Sequence, residues 1–241
     1  MRLTLRGGIV LLAAVSTALA TARLGVWQLD RAARKLELHQ AQLARGALPP
    51  LDAAALARTP AQAVEQAHRR VVLEGHWLAE RGIYLDNRQM DGRPGFFLLM
   101  PLRIAADDVV LVQRGWLPRH PQDRERLAEV GTPDGVVRIE GRIAPAIARL
   151  YEFDAAASGR IRQNLELAAH ARETGLPLRP LLVLQQGGAA AGEGLLRQGA
   201  LAAPDVSKHH GYALQWFALS ALVTGLYVWF QLIRPQRRQG S

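Results

Sequence analysis

Residues 211–233 read GYALQWFALSALVTGLYVWFQLI and contain no charged side chain. As an α-helix rising 1.5 Å per residue, this stretch reaches about 34 Å, longer than the hydrocarbon core of a bilayer. Tyr212 and Trp216 lie near one end, and Tyr227, Trp229 and Phe230 near the other, the distribution of an interfacial aromatic belt. A transmembrane helix is therefore the fixed point of the reading. A second apolar run, residues 7–29, begins GGIVLLAAVSTALATA, is interrupted by Arg23 and continues as LGVWQL. Its early arginines and Ala18-Leu19-Ala20 also resemble a cleavable signal peptide. Apolar character resumes after Arg23 through Trp27, which favours a retained span, with Arg23 near enough to the far surface to snorkel.

The distribution of charge gives the orientation. The 241 residues carry 30 Lys+Arg and 21 Asp+Glu, a net charge of +9. Every acid lies between Asp30 and Asp205. The segment 30–208 nets only +3, and the remaining +6 sits at the two ends, beside the apolar runs. A nucleic-acid binder concentrates its basic residues on a folded domain, so no nucleic-acid partner is expected; membrane lipid is. Arg2 and Arg6 precede the first span, and Arg234, Arg237 and Arg238 follow the second. The positive-inside rule places residues 1–6 and 234–241 in the cytoplasm and the long segment 30–208 on the other side. Only six residues precede the first span, too few for an organelle transit peptide. Lysine occurs only at Lys35 and Lys208 in an Ala- and Arg-rich chain, a bias that fits a high-GC bacterial genome. The expectation is a two-pass bacterial inner-membrane protein with a periplasmic domain.

Between the spans, Asp30–Ala44 continues the first helix outward, with Leu29, Leu36 and Leu43 along one side, until Pro49-Pro50 ends it. Residues 53–67 form a weaker helical stretch interrupted by Pro60. From Arg70 onward, short apolar runs separated by turn residues predict six or more strands. Val71–Trp77, Ile83–Leu85, GFFLLMPL at 95–102, VVLVQRGW at 109–116, VVRIEGRI at 136–143 and Leu181–Gln185 are the clearest, with a hairpin turn over Met90–Gly95. Their spacing favours antiparallel pairing. Helices are expected at Pro121–Val130 and Asn164–Thr174, and a flexible linker at 187–204. The fold class is α+β: two transmembrane helices flanking a mainly antiparallel, β-rich periplasmic domain with a few helices.

The search for chemistry is mostly negative. No cysteine is present, which excludes disulfides, thiolate metal sites and thiol nucleophiles, and the only methionines are Met1, Met90 and Met100. GxSxG, HExxH and glycine-rich phosphate-binding patterns are absent, so no enzyme is indicated. His209 and His210 stand apart because they open the second span. Successive helix residues differ by about 100°, so the two rings face different directions. His209, Tyr212, Trp216 and Ser220 share one face. An imidazole at that boundary is either an interfacial cap or an axial ligand for haem iron, with Arg23, Arg88 or Arg114 available for the propionates. Spacing alone leaves both readings open.

Four motifs carry a resemblance: LGVWQLDRAARK at 24–35, YLDNRQMDGRPGFFLLMPL at 84–102, VLVQRGWLPR at 110–119 and HHGYALQWFALS at 209–220. In this order and between two spans, the chain resembles the surfeit locus protein 1 family, assembly factors for haem–copper terminal oxidases. The resemblance implies a part in delivering haem a to the catalytic subunit of cytochrome c oxidase, with that subunit and haem a synthase as partners. It implies His209 as the haem-associated position and axial ligand, with His210 as the alternative, since a usually apolar place is His210 here. Around that ligand the expected haem contacts are Tyr212, Trp216 and Arg23. Asn87, Arg88, Arg114 and Trp116 match further motifs, as either turn chemistry or a partner-docking surface. A rival reading makes the chain a membrane-anchored scaffold that docks oxidase subunits without binding haem.

Overall fold

The computed structural model describes residues 5–120, 122–123, 126–144, 159–187, 193–197 and 203–234. Two compact units emerge, one of residues 1–41 with 203–241, the other of residues 42–202. Residues 30–41, expected in the β-rich domain, belong to the helical unit.

The helical unit holds α1, Leu5–Ala47, up to residue 41, and α4, Ser207–Tyr227, whose last turns widen into a π-helical segment at Val228–Ile233. Both helices are long and apolar enough to cross a membrane. α1 continues unbroken past Asp30, as expected of a helix that runs on beyond the apolar segment. Asp205 accepts hydrogen bonds from the Ser207 backbone N–H (3.0 Å) and hydroxyl at the start of α4. Those bonds, aided by Lys208 and Lys35, hold its carboxyl below the ordinary range.

The β-rich unit contains α2 (Pro60–Glu65), β1 (Arg70–Trp77), β2 (Ile83–Met90), β3 (Arg93–Ala105), β4 (Asp108–Pro118), β5 (Val136–Ala144), β6 (Ile161–Arg162), α3 (Leu167–Thr174) and β7 (Leu178–Gln185). The strands form one sheet in the order β1-β5-β7-β4-β3-β2-β6, and β1 also pairs with β3 at His76↔Arg103 and Trp77↔Leu102. That pairing closes five strands, β1-β5-β7-β4-β3, into a barrel. With β2 and β6 as an added flap, its connectivity is that of an OB-type Greek-key barrel. Gly75 precedes the closing pair, and a Cβ there would lie 2.3 Å from the Arg103 carbonyl oxygen, so only glycine permits the approach. Pairing is antiparallel as expected, except that β4–β7 and β2–β6 are parallel.

Every barrel strand contributes to the interior: Val71 and Leu73, Leu102, Val110 and Val112, Ile139 and Ile143, Leu181 and Val183, with Leu56, Ala57 and Ala63 packed against them. The alternate residues Leu111 and Leu182 join Ile83, Leu85, Leu99 and Leu165 in a second core, and Tyr84, Phe96, Leu98, Met100, Leu117 and Leu195 form a third. β4 is therefore buried on both faces. This explains why its sequence, VVLVQRGW, reads as a continuous apolar run instead of alternating.

Three sequence expectations are corrected. Pro60 does not interrupt a helix; it starts α2, where its missing N–H is no loss, behind a capping box formed by Thr59 and Gln62. No helix occupies 126–130, which is irregular, while positions 121, 124 and 125 of the expected helix lie outside the described residues. Residues 193–197 of the expected linker are tied into the fold: Leu195 is buried, and Leu196 exchanges both backbone hydrogen bonds with Trp116. Residues 188–192 and 198–202 of that linker lie outside the described residues.

Candidate functional site

In the helical unit, half-buried and buried positions recur along α1 at Ala14, Ala18, Thr21, Gly25, Gln28 and Ala32, alternating steps of four and three. On α4 the matching stripe is His209, Ala213, Trp216, Ser220 and Val223. These are the spacings of two helices packed side by side, and the small residues let the backbones approach closely. A Cβ on Gly25 would meet the Phe217 ring at 2.7 Å. Ser220 Oγ donates to the Ala18 carbonyl oxygen (2.8 Å), and Thr21 Oγ1 to that of Thr17 (2.8 Å), so hydroxyls in this apolar seam are satisfied.

At the end of the seam, His209 Nδ1 lies 2.8 Å from Gln28 Oε1. The ring is half-buried, and its Nε2 has no hydrogen-bond partner among the described residues. His210 is exposed, about 100° around the helix. Ala213, not Tyr212, follows His209 into the seam; Tyr212 is 53% exposed on the flank, and Trp216 is half-buried. Arg23 is not brought to His209. It lies two residues from both Thr21 and Gly25 and so faces away from the seam. The cations on the Gln28 side are Arg31 and Lys35, at i+3 and i+7, with Arg31 stacked over Trp27 at 4.8 Å. Sequence reasoning missed Gln28. Its signal was a lone amide inside the apolar run LGVWQL.

In the β-rich unit, the four candidate docking residues sit at two β-bulges. Leu85 pairs with Phe97 and Arg88 with Gly95, so Asp86-Asn87 opposes a single residue, and Asn87 takes a left-handed φ of 59°. Leu98 pairs with Gly115 and Leu99 with Gln113, so Arg114 is the extra residue of the other bulge. The bulge turns its side chain inward, to 0% exposure. There the guanidinium donates to Glu193 Oε1 (2.9 Å), Thr132 Oγ1 (2.7 Å) and the Gly131 carbonyl oxygen (3.0 Å), and stacks on Trp77 at 4.8 Å. Burial lowers the Arg114 pKa, while the bond to Glu193 opposes the shift. Trp116 is also buried and donates Nε1–H to the Arg88 carbonyl oxygen (2.8 Å), joining the two bulges, while buried Arg88 donates to the Gln163 carbonyl oxygen (2.9 Å). Arg88, Arg114 and Trp116 are thus engaged internally, and only Asn87 is exposed. Glu193, the counter-charge of Arg114, was missed because it lies in a Gly- and Ala-rich stretch that reads as a linker.

A cavity of about 500 Å³ opens beside this network, lined by Tyr84, Met100, Leu127, Val130, Thr132 and Arg160 among others. Arg160 stacks over the Tyr84 ring at 5.6 Å, and burial raises the Tyr84 pKa.

The family model described as the SURF1 family matches residues 15–221, taking in part of each candidate span and the whole β-rich unit. A SURF1-like protein of Rickettsia conorii is 26% identical over 214 residues, covering 85% of this chain and 84% of the relative. A SURF1-like protein of Monosiga brevicollis is 29% identical over 147 residues, covering 56% of this chain and 55% of the relative. The cytochrome oxidase assembly protein SHY1 of Saccharomyces cerevisiae is 30% identical over 95 residues, 39% of this chain and 24% of that protein. With the family model spanning most of its length, the chain belongs to the SURF1 family.

Proposed function

We propose that this protein is an assembly factor for a haem–copper cytochrome c oxidase, holding haem a at the helix pair for transfer to the catalytic subunit. Family membership and the name of the yeast relative, a cytochrome oxidase assembly protein, support the oxidase-assembly part. The observation that carries the haem part is the half-buried His209 ring at the end of a candidate span, with one nitrogen engaged by Gln28 and the other without a partner among the described residues. The residues fit the ligand. Haem supplies an apolar macrocycle, an iron with an open axial position and two anionic propionates. His209 Nε2 would ligate the iron, with Tyr212 and Trp216 as aromatic wall. The propionate role expected of Arg23 passes to Arg31 or Lys35, which lie on the Gln28 side of α1. A single replaceable axial ligand suits a carrier, and a helix flank allows lateral passage of an apolar cargo without crossing water.

The same reading makes the protein a non-enzymatic chaperone of the inner membrane, with both termini cytoplasmic and the β-rich unit periplasmic. Its partners are the oxidase catalytic subunit and haem a synthase, and its surroundings are lipid. The rival scaffold reading loses most of its proposed surface, because Arg88, Arg114 and Trp116 are buried. Complementation tests the proposal. In a bacterium lacking its own family member, the wild-type chain restores the haem a absorbance of the oxidase, and His209→Ala lowers it at equal protein level. Full restoration by His209→Ala together with His210→Ala would favour the scaffold.

A further inference from the structure

We propose that Gln28 is a positioning residue that fixes the tautomer of His209. A neutral imidazole carries one proton, on either Nδ1 or Nε2, and the partner of one nitrogen decides which. Gln28 presents its amide oxygen to Nδ1 at 2.8 Å, and an oxygen can only accept. Nδ1 is therefore the protonated nitrogen, and the Nε2 lone pair is left for an electrophile.

The packing of the helix pair holds this arrangement. Gln28 lies on the α1 stripe between buried Gly25 and Ala32, and His209 precedes buried Ala213 on α4. Ser220 to Ala18 and Gly25 against Phe217 fix the register of the two helices further along the seam. No other described side chain competes for either nitrogen of the ring. The inference rests on His209 as haem ligand for its purpose, but the tautomer itself exists without haem.

The experiment is nitrogen-15 NMR of the haem-free full chain in lipid nanodiscs at alkaline pH, with labelled histidine and the His209 signals assigned by loss in His209→Ala. The wild type shows a protonated Nδ1 and an unprotonated Nε2. Gln28→Leu shifts the ring toward the Nε2–H form, and Gln28→Glu, which keeps an acceptor, retains Nδ1–H. A wild-type ring protonated on Nε2 would overturn the proposal, because Gln28 would then be donating through its amide nitrogen. An unchanged ring in Gln28→Leu would overturn it too. Titration with ferric protoporphyrin IX gives the second readout. Loss of an orienting partner weakens binding about 10–100-fold, so Gln28→Leu binds that much more weakly, and Gln28→Glu recovers. Unweakened binding by His209→Ala would remove the ligand role while leaving the tautomer result standing, so the two failures are separable.

Discussion

Arg114 shows how one residue can organise a domain. Its guanidinium gathers the 131–132 segment, Glu193 and the Trp77 ring around a single bulge on β4. Removing one partner of a buried ion pair costs about 3–5 kcal/mol when the other is left uncompensated, but Glu193 keeps Arg197 as a second partner. Arg114→Ala should therefore lower stability by less than about 3–5 kcal/mol in denaturant unfolding of the full chain. Arg138→Ala should cost less than about 1 kcal/mol, because both members of the Arg138–Glu74 pair are more than half exposed. His170 provides a pH test. Its ring is buried with neither nitrogen hydrogen-bonded among the described residues, although Nδ1 lies 3.7 Å from a Glu173 carboxylate oxygen; burial, then the Arg162 charge, lowers its pKa from 6.5 against the opposing pull of Glu173. The folded state therefore prefers the neutral ring. Its contribution is complete above pH 6.5 and is lost as the pH falls from there toward the depressed value. Between pH 7 and pH 5 the melting temperature of wild type should drop more than that of His170→Phe, and equal drops would refute the assignment. In sequence, Arg114 is one cation among many. Its burial follows from a bulge set by pairing with β3, a non-local feature that no local pattern encodes.

At the level of elements, the helix pair depends on small residues at seam positions. The chain has no cysteine, so an introduced pair reports cleanly. Ala18→Cys with Ser220→Cys should form an intramolecular disulfide under mild oxidation, since Ser220 Oγ already reaches the Ala18 carbonyl. Adding Gly25→Leu, which thrusts a side chain into Phe217, should abolish that cross-link while the chain still inserts. Cross-linking unaffected by Gly25→Leu would contradict the seam. Both helices were legible in the sequence because length and apolarity are local properties. The stripe that faces the partner was only half legible: His209, Trp216 and Ser220 fell on it, but Ala213 takes the place assigned to Tyr212. A helical wheel shows which residues share a face, not which edge of that face meets a neighbour. The same limit explains Arg23, whose direction became clear only once Thr21 and Gly25 were found in the seam.

For the whole molecule, most strands and the β2–β3 hairpin at Asp91-Gly92, where both residues take positive φ, could be read from the chain. Barrel closure could not, because it rests on two residue pairs between strands far apart in sequence and on the absence of a side chain at Gly75. The tether at 193–197 was hidden by its composition. In the proposed function the helix pair offers His209 Nε2, which has no hydrogen-bond partner among the described residues, to haem. The proposed function needs both termini in the cytoplasm, so a periplasm-active reporter fused at the Asp91-Gly92 turn should be active and one fused after residue 234 silent; the reverse would invert the assigned orientation. The most direct measurement is the visible absorption spectrum of the full chain purified from cells that make haem a. A haem band is expected in wild type and His210→Ala and is lost in His209→Ala. A band that persists in His209→Ala and disappears in His210→Ala would contradict the proposed function.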